Sequence, residues 1–153
     1  MSMATLPDSA TLAGLVSNVT KTMCGLSFEV ADPARRAVVD CWRMAILNVA
    51  GKRPWRVALF SDREGCTALG AALCGAEPDM LDDGMLEDAL RELLNMAAGQ
   101  IKNLLSPDET LGLPQIISHV DLSPRSQAAL RDGVLFSSRE SVNLMMWIAD
   151  GHE

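Results

Sequence analysis

The sequence has no excess of basic residues. It carries 13 Lys and Arg against 20 Asp and Glu, which gives a net charge of −7 at pH 7. A nucleic-acid-binding domain normally presents a basic face to the phosphates, so this balance argues against that class of protein. We therefore expect no nucleic-acid partner.

Long hydrophobic runs are also absent, although apolar residues make up 48% of the chain. No run approaches the roughly 20 residues that a helix needs to span a bilayer. No Lys or Arg precedes Lys21, so the sequence lacks the basic region with which a signal peptide begins. These absences predict a cytoplasmic protein with no membrane partner.

Cysteine and histidine are few and scattered. None of the four cysteines forms a CxxC motif, and the two histidines complete no metal-binding spacing. His119 and Asp121 lie close in sequence, but two residues do not make a metal site. We interpret the cysteines as reduced, buried, structural thiols and expect no metal site.

No linker, low-complexity segment or internal repeat divides the chain. Its 153 residues match the size of one ordinary domain and suffice to bury a real core. We predict a single domain over residues 1–153, in which residues 1–7 form a loose leader.

Apolar periodicity and turn residues predict a mixture of helices and strands. The predicted order is a helix from Asp8 or Ser9 to Gly25, a short strand at 27–30, a hairpin of 38–49 and 55–61, a short helix to about Leu73, a long helix at 82–105, a strand at 115–118, a helical turn or loop at 124–131, and strands at 134–137 and 142–148. This order predicts an α+β fold in which an antiparallel-rich sheet packs against helices on one face.

The segment from Asp82 to Leu105 is predicted to be one long amphipathic helix. Its apolar residues recur at steps of three and four, which defines a wide buried stripe. Acidic residues crowd its start and Lys102 lies near its end, and both placements suit the helix dipole.

A row of polar residues lies on one face of this helix. Asp88, Glu92 and Asn95 follow one another at steps of four and three, and Gly99 continues the row. A glycine inside a helix costs up to ~1 kcal/mol relative to alanine, so a close approach of another backbone is one reason to keep it. The row is typical either of a docking surface or of an ordinary solvated face with a glycine that packs against a neighbouring helix.

The row resembles the signature helix of the CheC/CheX/FliY chemotaxis phosphatases. That signature has an Asp or Ser, a Glu four residues on, an Asn three further on and a proline about twenty residues later. Asp88, Glu92 and Asn95 match it, and Pro114 stands 19 residues after Asn95. The resemblance implies a CheC-like fold.

Within this family the sequence resembles the CheX branch. CheC-type members carry a second copy of the signature on the first helix, but here Leu15 stands where that copy would have a Glu before Asn18. FliY-type members add a flagellar-switch domain, for which this chain has no room. A single site is therefore expected.

The resemblance also implies a function. The family removes the phosphoryl group from the aspartyl phosphate of CheY-like response regulators, with Mg²⁺ supplied by the regulator and no cofactor of its own. Asn95 is then expected to position the attacking water, and Glu92 to dock the partner through an ion pair with a lysine. Asp88 and Gly99 are expected to support partner binding, and a homodimer is expected because CheX members join their sheets.

Two other hypotheses remain open. The protein could be a catalytically inactive CheX-like binding module in a two-component or chemotaxis pathway. Alternatively, the helix stripe could be a subunit interface in a protein with an unrelated role. Intact Glu92 and Asn95 favour the phosphatase, whereas a dimer that used their face would count against both family-based hypotheses.

Overall fold

The computed structural model describes residues 6–32, 34–35, 40–118 and 123–151. Their α-helices and β-strands in chain order are α1 (Ser9–Cys24), β1 (Glu29–Val30), β2 (Arg43–Ala50), β3 (Trp55–Ser61), α2 (Arg63–Cys74), α3 (Asp83–Leu105), β4 (Thr110–Leu111), β5 (Gln115–Ser118), α4 (Pro124–Asp132), β6 (Val134–Ser137) and β7 (Asn143–Asp150), and a 3-10 helix at Pro78–Met80 lies between α2 and α3. His119 and Asp121 lie outside the described residues, as do residues 1–5 of the predicted leader.

The strands form a seven-stranded sheet in the order β1-β6-β7-β3-β2-β4, and β5 pairs with β2 beyond this path. Each recorded pairing is antiparallel. At the centre, β2 and β3 form the predicted hairpin, whose register runs from Arg43 opposite Ser61 to Val49 opposite Trp55. The predicted α+β fold with an antiparallel sheet is confirmed.

Aspartates fix where the first three helices begin. The side chains of Asp8, Asp62 and Asp82 each accept a hydrogen bond from the backbone N–H three residues on. Such an N-cap satisfies an N–H that has no partner inside the helix and contributes about 1 kcal/mol. Gly25 and Gly75 end α1 and α2 in the left-handed conformation, with φ of 72° and 63°. The predicted boundaries of these helices are confirmed.

The helices cover both faces of the sheet, which differs from the prediction that they share one face. Helices α1, α2 and α3 pack on one face, whereas Ala129 of α4 packs with Phe60 and Trp147 on the other. Most residues of β2 and β3 are buried, because these central strands are covered on both sides. The segment at 124–131 is therefore a helix that completes the second layer.

No helix among the described residues is both long enough and apolar enough to cross a membrane.

Candidate functional site on helix α3

Helix α3 has a buried face and an outward face. The buried side chains are each at most 4% exposed, and they are Leu86, Ala89, Leu90, Leu93, Leu94, Ala97, Ala98 and Ile101. At roughly 100° per residue, Asp88, Glu92, Asn95 and Gly99 lie on the opposite side. The structure brings these four residues together as an outward row, the α3 ridge, in which Asp88, Glu92 and Asn95 are exposed.

Two ion pairs connect the start of α3 to β2 and α2. Arg43 Nε of β2 lies 3.0 Å from Glu87 Oε2, and Arg63 of α2 lies 2.7 Å from Asp83. Both guanidinium groups also lie over the Trp42 ring, 4.3 and 4.6 Å from its centre. Sequence reasoning missed this cluster because its partners are far apart in the chain and no spacing rule connects them.

The charges of the ridge are unevenly compensated. Asp88 forms an ion pair with Arg91 one turn on, and Glu87 is already held by Arg43. Within the described part of the chain, neither the Glu92 nor the Asn95 side chain makes a hydrogen bond or an ion pair. Glu92 therefore presents a free carboxylate, and Asn95 presents a carboxamide whose oxygen and N–H groups are all free.

Gly99 lies beside open space. A Cβ at this position would meet nothing within 4 Å, whereas a Cβ at Gly70 of α2 would lie 2.7 Å from Leu86 Cδ2. Gly70 is thus the glycine that lets α2 approach α3. Contacts inside the described part of the chain do not explain why a glycine stands at position 99.

A shallow groove of about 620 Å³ adjoins Gly99. It is lined on α3 by Met96, Gly99, Gln100, Lys102 and Asn103, and across from the helix by Glu109, Thr110 and Leu111. Pro114, which matches the proline of the family signature, lies directly before β5 and does not line this groove.

The cysteines offer little chemistry. All four are free thiols, and burial raises the pKa of both Cys41 and Cys66 to about 12. Only Cys66 is buried, whereas Cys24 and Cys41 are partly buried and Cys74, which ends α2 at the surface, is exposed; this corrects the prediction that all four are buried. Among the described residues, no three His, Cys, Asp or Glu side chains converge as a metal site would require.

Comparison with known proteins gives a family match. The family model described as "Chemotaxis phosphatase CheX" matches residues 43–135, which include the whole of α3. The search of curated proteins found no match.

Solved structures with the same fold come from several bacteria. The chemotaxis protein CheX from Vibrio vulnificus has a TM-score of 0.69 at 19% identity, covering 92% of this chain and 93% of that one. A CheC-like superfamily protein from Shewanella sp. PV-4 has a TM-score of 0.67 at 19% identity, with coverages of 92% and 95%. The CheX–CheY–BeF₃–Mg²⁺ complex from Borrelia burgdorferi has a TM-score of 0.64 at 14% identity, with coverages of 97% and 100%.

At these identities the solved structures establish the fold, and the family model establishes the membership. The family model matches more than half of the chain, and the matched part includes the helix that carries the Asp88, Glu92 and Asn95 signature. The chain therefore belongs to the CheX family of chemotaxis phosphatases.

Proposed function

We propose that this protein hydrolyses the aspartyl phosphate of a CheY-like response regulator. One observation carries the proposal: the α3 ridge exposes Glu92 and Asn95 without partners among the described residues, at the spacing of the family signature. Membership of a chemotaxis phosphatase family supports the activity, and the fold shared with a CheX solved in complex with CheY supports the partner.

The chemistry asks little of the phosphatase. An aspartyl phosphate is a reactive acyl phosphate, so hydrolysis mainly needs a water molecule held in line with the bond that breaks. The water oxygen bonds to phosphorus, the aspartate leaves as a carboxylate, and the water protons pass to the phosphate product and the solvent. The Asn95 carboxamide oxygen accepts a hydrogen bond from this water, and this bond directs a lone pair of the water oxygen at phosphorus.

Glu92 docks the partner. Because Asp88 is already paired with Arg91, the free carboxylate of Glu92 is the stronger attraction for a lysine of the regulator. Glu92 and Asn95 are separated by about 4.5 Å along the helix axis. An ion pair at Glu92 therefore fixes where Asn95 enters the partner's site. Mg²⁺ bound by the regulator would neutralise charge on the phosphoryl oxygens, and we propose no cofactor held by this chain.

We also propose a homodimer joined through sheet edges, as the family resemblance implies. Such a dimer leaves α3 exposed, because this helix lies on a face of the sheet and not at its edge. An interface that covers Glu92 and Asn95 would contradict this arrangement.

The experiment is a dephosphorylation assay with response regulators from the same genome. Asn95→Ala should lower kcat by roughly one to three orders of magnitude, as loss of a single positioning group does in other enzymes. Glu92→Ala should mainly raise KM, because a docking ion pair contributes largely to binding. Asn18→Ala is the matched control: this exposed asparagine on α1 lacks a neighbouring Glu, so activity should not change.

The outcomes separate the hypotheses. If no regulator loses phosphate faster, the proposed activity is wrong, and regulator binding without acceleration would favour the inactive binding module. If Asn95→Ala keeps the full acceleration, the proposed role of Asn95 is wrong.

A further inference from the structure

We propose that the groove beside Gly99 is a second docking contact, which receives a neutral, extended segment of the regulator next to its phosphorylation site. We call it the Gly99 groove, and its lining residues are Met96, Gly99, Gln100, Lys102, Asn103, Glu109, Thr110 and Leu111. The proposal rests on the proposed function and adds to it the far wall at residues 109–111, which the family signature does not include.

The first argument is position. Gly99 lies one turn after Asn95, about 6 Å along the helix axis. A specific protein–protein interface covers roughly 800 Å² on each partner, which corresponds to a patch of about 16 Å radius. A regulator that brings its phosphoryl group to Asn95 therefore also covers the Gly99 groove.

The second argument is shape. Glycine in the interior of a helix costs about 1 kcal/mol relative to alanine. No contact in the described part of the chain requires that glycine, because the position of its missing Cβ is empty. A partner backbone that approaches the helix at Gly99 would require it, since any side chain there would occupy the groove.

The third argument is the chemistry of the walls. Met96 and Leu111 supply apolar surface, and Gln100 and Asn103 supply amides that suit the peptide groups of an extended segment. The groove holds one cation and one anion, Lys102 and Glu109. Glu109 Oε2 is buried beside Gly51, where an added Cβ would clash with it, so this oxygen is not exposed to a cation of the partner. The occupant is therefore expected to be neutral.

Lys102 is also hydrogen-bonded within its own chain. Its Nζ donates a hydrogen bond to the Pro107 carbonyl oxygen at 2.6 Å. This bond holds the ammonium group at the end of α3, where the partial negative charge of the helix favours it.

The test fills the groove from its two walls. Thr110→Arg adds a long side chain from β4, and Gly99→Leu adds one from α3. Because β4 lies at an edge of the sheet, both variants are compared with the wild type in the same oligomeric state. Each variant should raise KM about tenfold and leave kcat within about twofold, because the groove contributes to binding alone. Gly14→Leu is the control, since Gly14 is likewise an exposed helical glycine beside open space, but on α1.

Direct binding gives a second readout. The Kd for a regulator activated with BeF₃⁻ and Mg²⁺ should rise by the same factor in both groove variants and stay unchanged in Gly14→Leu. If KM and Kd are unchanged in the groove variants while Asn95→Ala still lowers kcat, the groove proposal is wrong and the proposed function stands. If the wild-type protein neither binds a regulator nor accelerates its dephosphorylation, both proposals are wrong.

Discussion

Replacing Gly99 by alanine should stabilise the fold while weakening its activity. The new methyl group would meet nothing within 4 Å, so it causes no clash in the described part of the chain. Alanine in a helix interior is favoured over glycine by about 0.5–1 kcal/mol. For a domain of 153 residues, a gain of this size raises Tm by roughly 1–4 °C.

Two other helical glycines make the stability measurement specific. Gly14→Ala in α1 should give a similar gain in the free energy of unfolding, because its Cβ would also be in open space. Gly70→Ala should instead lower stability by about 1 kcal/mol, because its Cβ would lie 2.7 Å from Leu86 Cδ2 in a buried contact. Urea denaturation of the three variants beside the wild type measures all three changes.

Measurements of kcat and KM should distinguish Gly99 from Gly14. Gly99→Ala should raise KM for the phosphorylated regulator, whereas Gly14→Ala should leave both kcat and KM unchanged. Two results would refute the reasoning. A loss of stability in Gly99→Ala would mean that Gly99 has a structural role in its own fold, and a gain of stability with unchanged KM would mean that no partner backbone approaches the ridge.

Two further predictions concern stability. Asp62→Ala should lower the free energy of unfolding by about 1 kcal/mol, because Gly65 N–H then loses its 2.6 Å cap at the start of α2; an unchanged urea midpoint would contradict this. Burial raises the pKa of the Cys66 thiol from its ordinary value near 9 to about 12. Between pH 9 and 12 the thiol therefore keeps its proton in the native state and loses it in the unfolded state. The contribution of this thiol is thus complete below pH 9 and is lost as the pH rises from 9 to 12. Denaturation midpoints should fall across that window less steeply in Cys66→Ala, and parallel curves for the two proteins would contradict the assignment.

Local patterns predicted much of the fold. The apolar stripe of α3 was readable because its residues recur at helical steps, and the N-caps at Asp8, Asp62 and Asp82 act within three residues of their own helices. The face of the sheet on which α4 packs could not be predicted from local sequence patterns, because it depends on which face remains uncovered after the other helices have packed. That choice is made by contacts such as Ala129 with Phe60, between residues far apart in the chain.

The candidate site was also predicted only in part from the sequence. Spacing alone predicted that Asp88, Glu92, Asn95 and Gly99 share a face, but it could not predict which charges remain free. Arg91 could pair with Glu87 or with Asp88, and the structure has Arg43 of a distant strand on Glu87. The far wall of the Gly99 groove also comes from another part of the chain, so the helix sequence alone does not reveal it.

The central claim is that Asn95 positions the attacking water, and single-turnover hydrolysis tests it most directly. A phosphorylated response regulator is mixed with excess wild-type or Asn95→Ala protein, and phosphate release is followed while Kd for the same regulator with BeF₃⁻ and Mg²⁺ is measured separately. We predict that Asn95→Ala lowers the hydrolysis rate by roughly one to three orders of magnitude and leaves Kd within about twofold. An undiminished rate in Asn95→Ala would contradict the account.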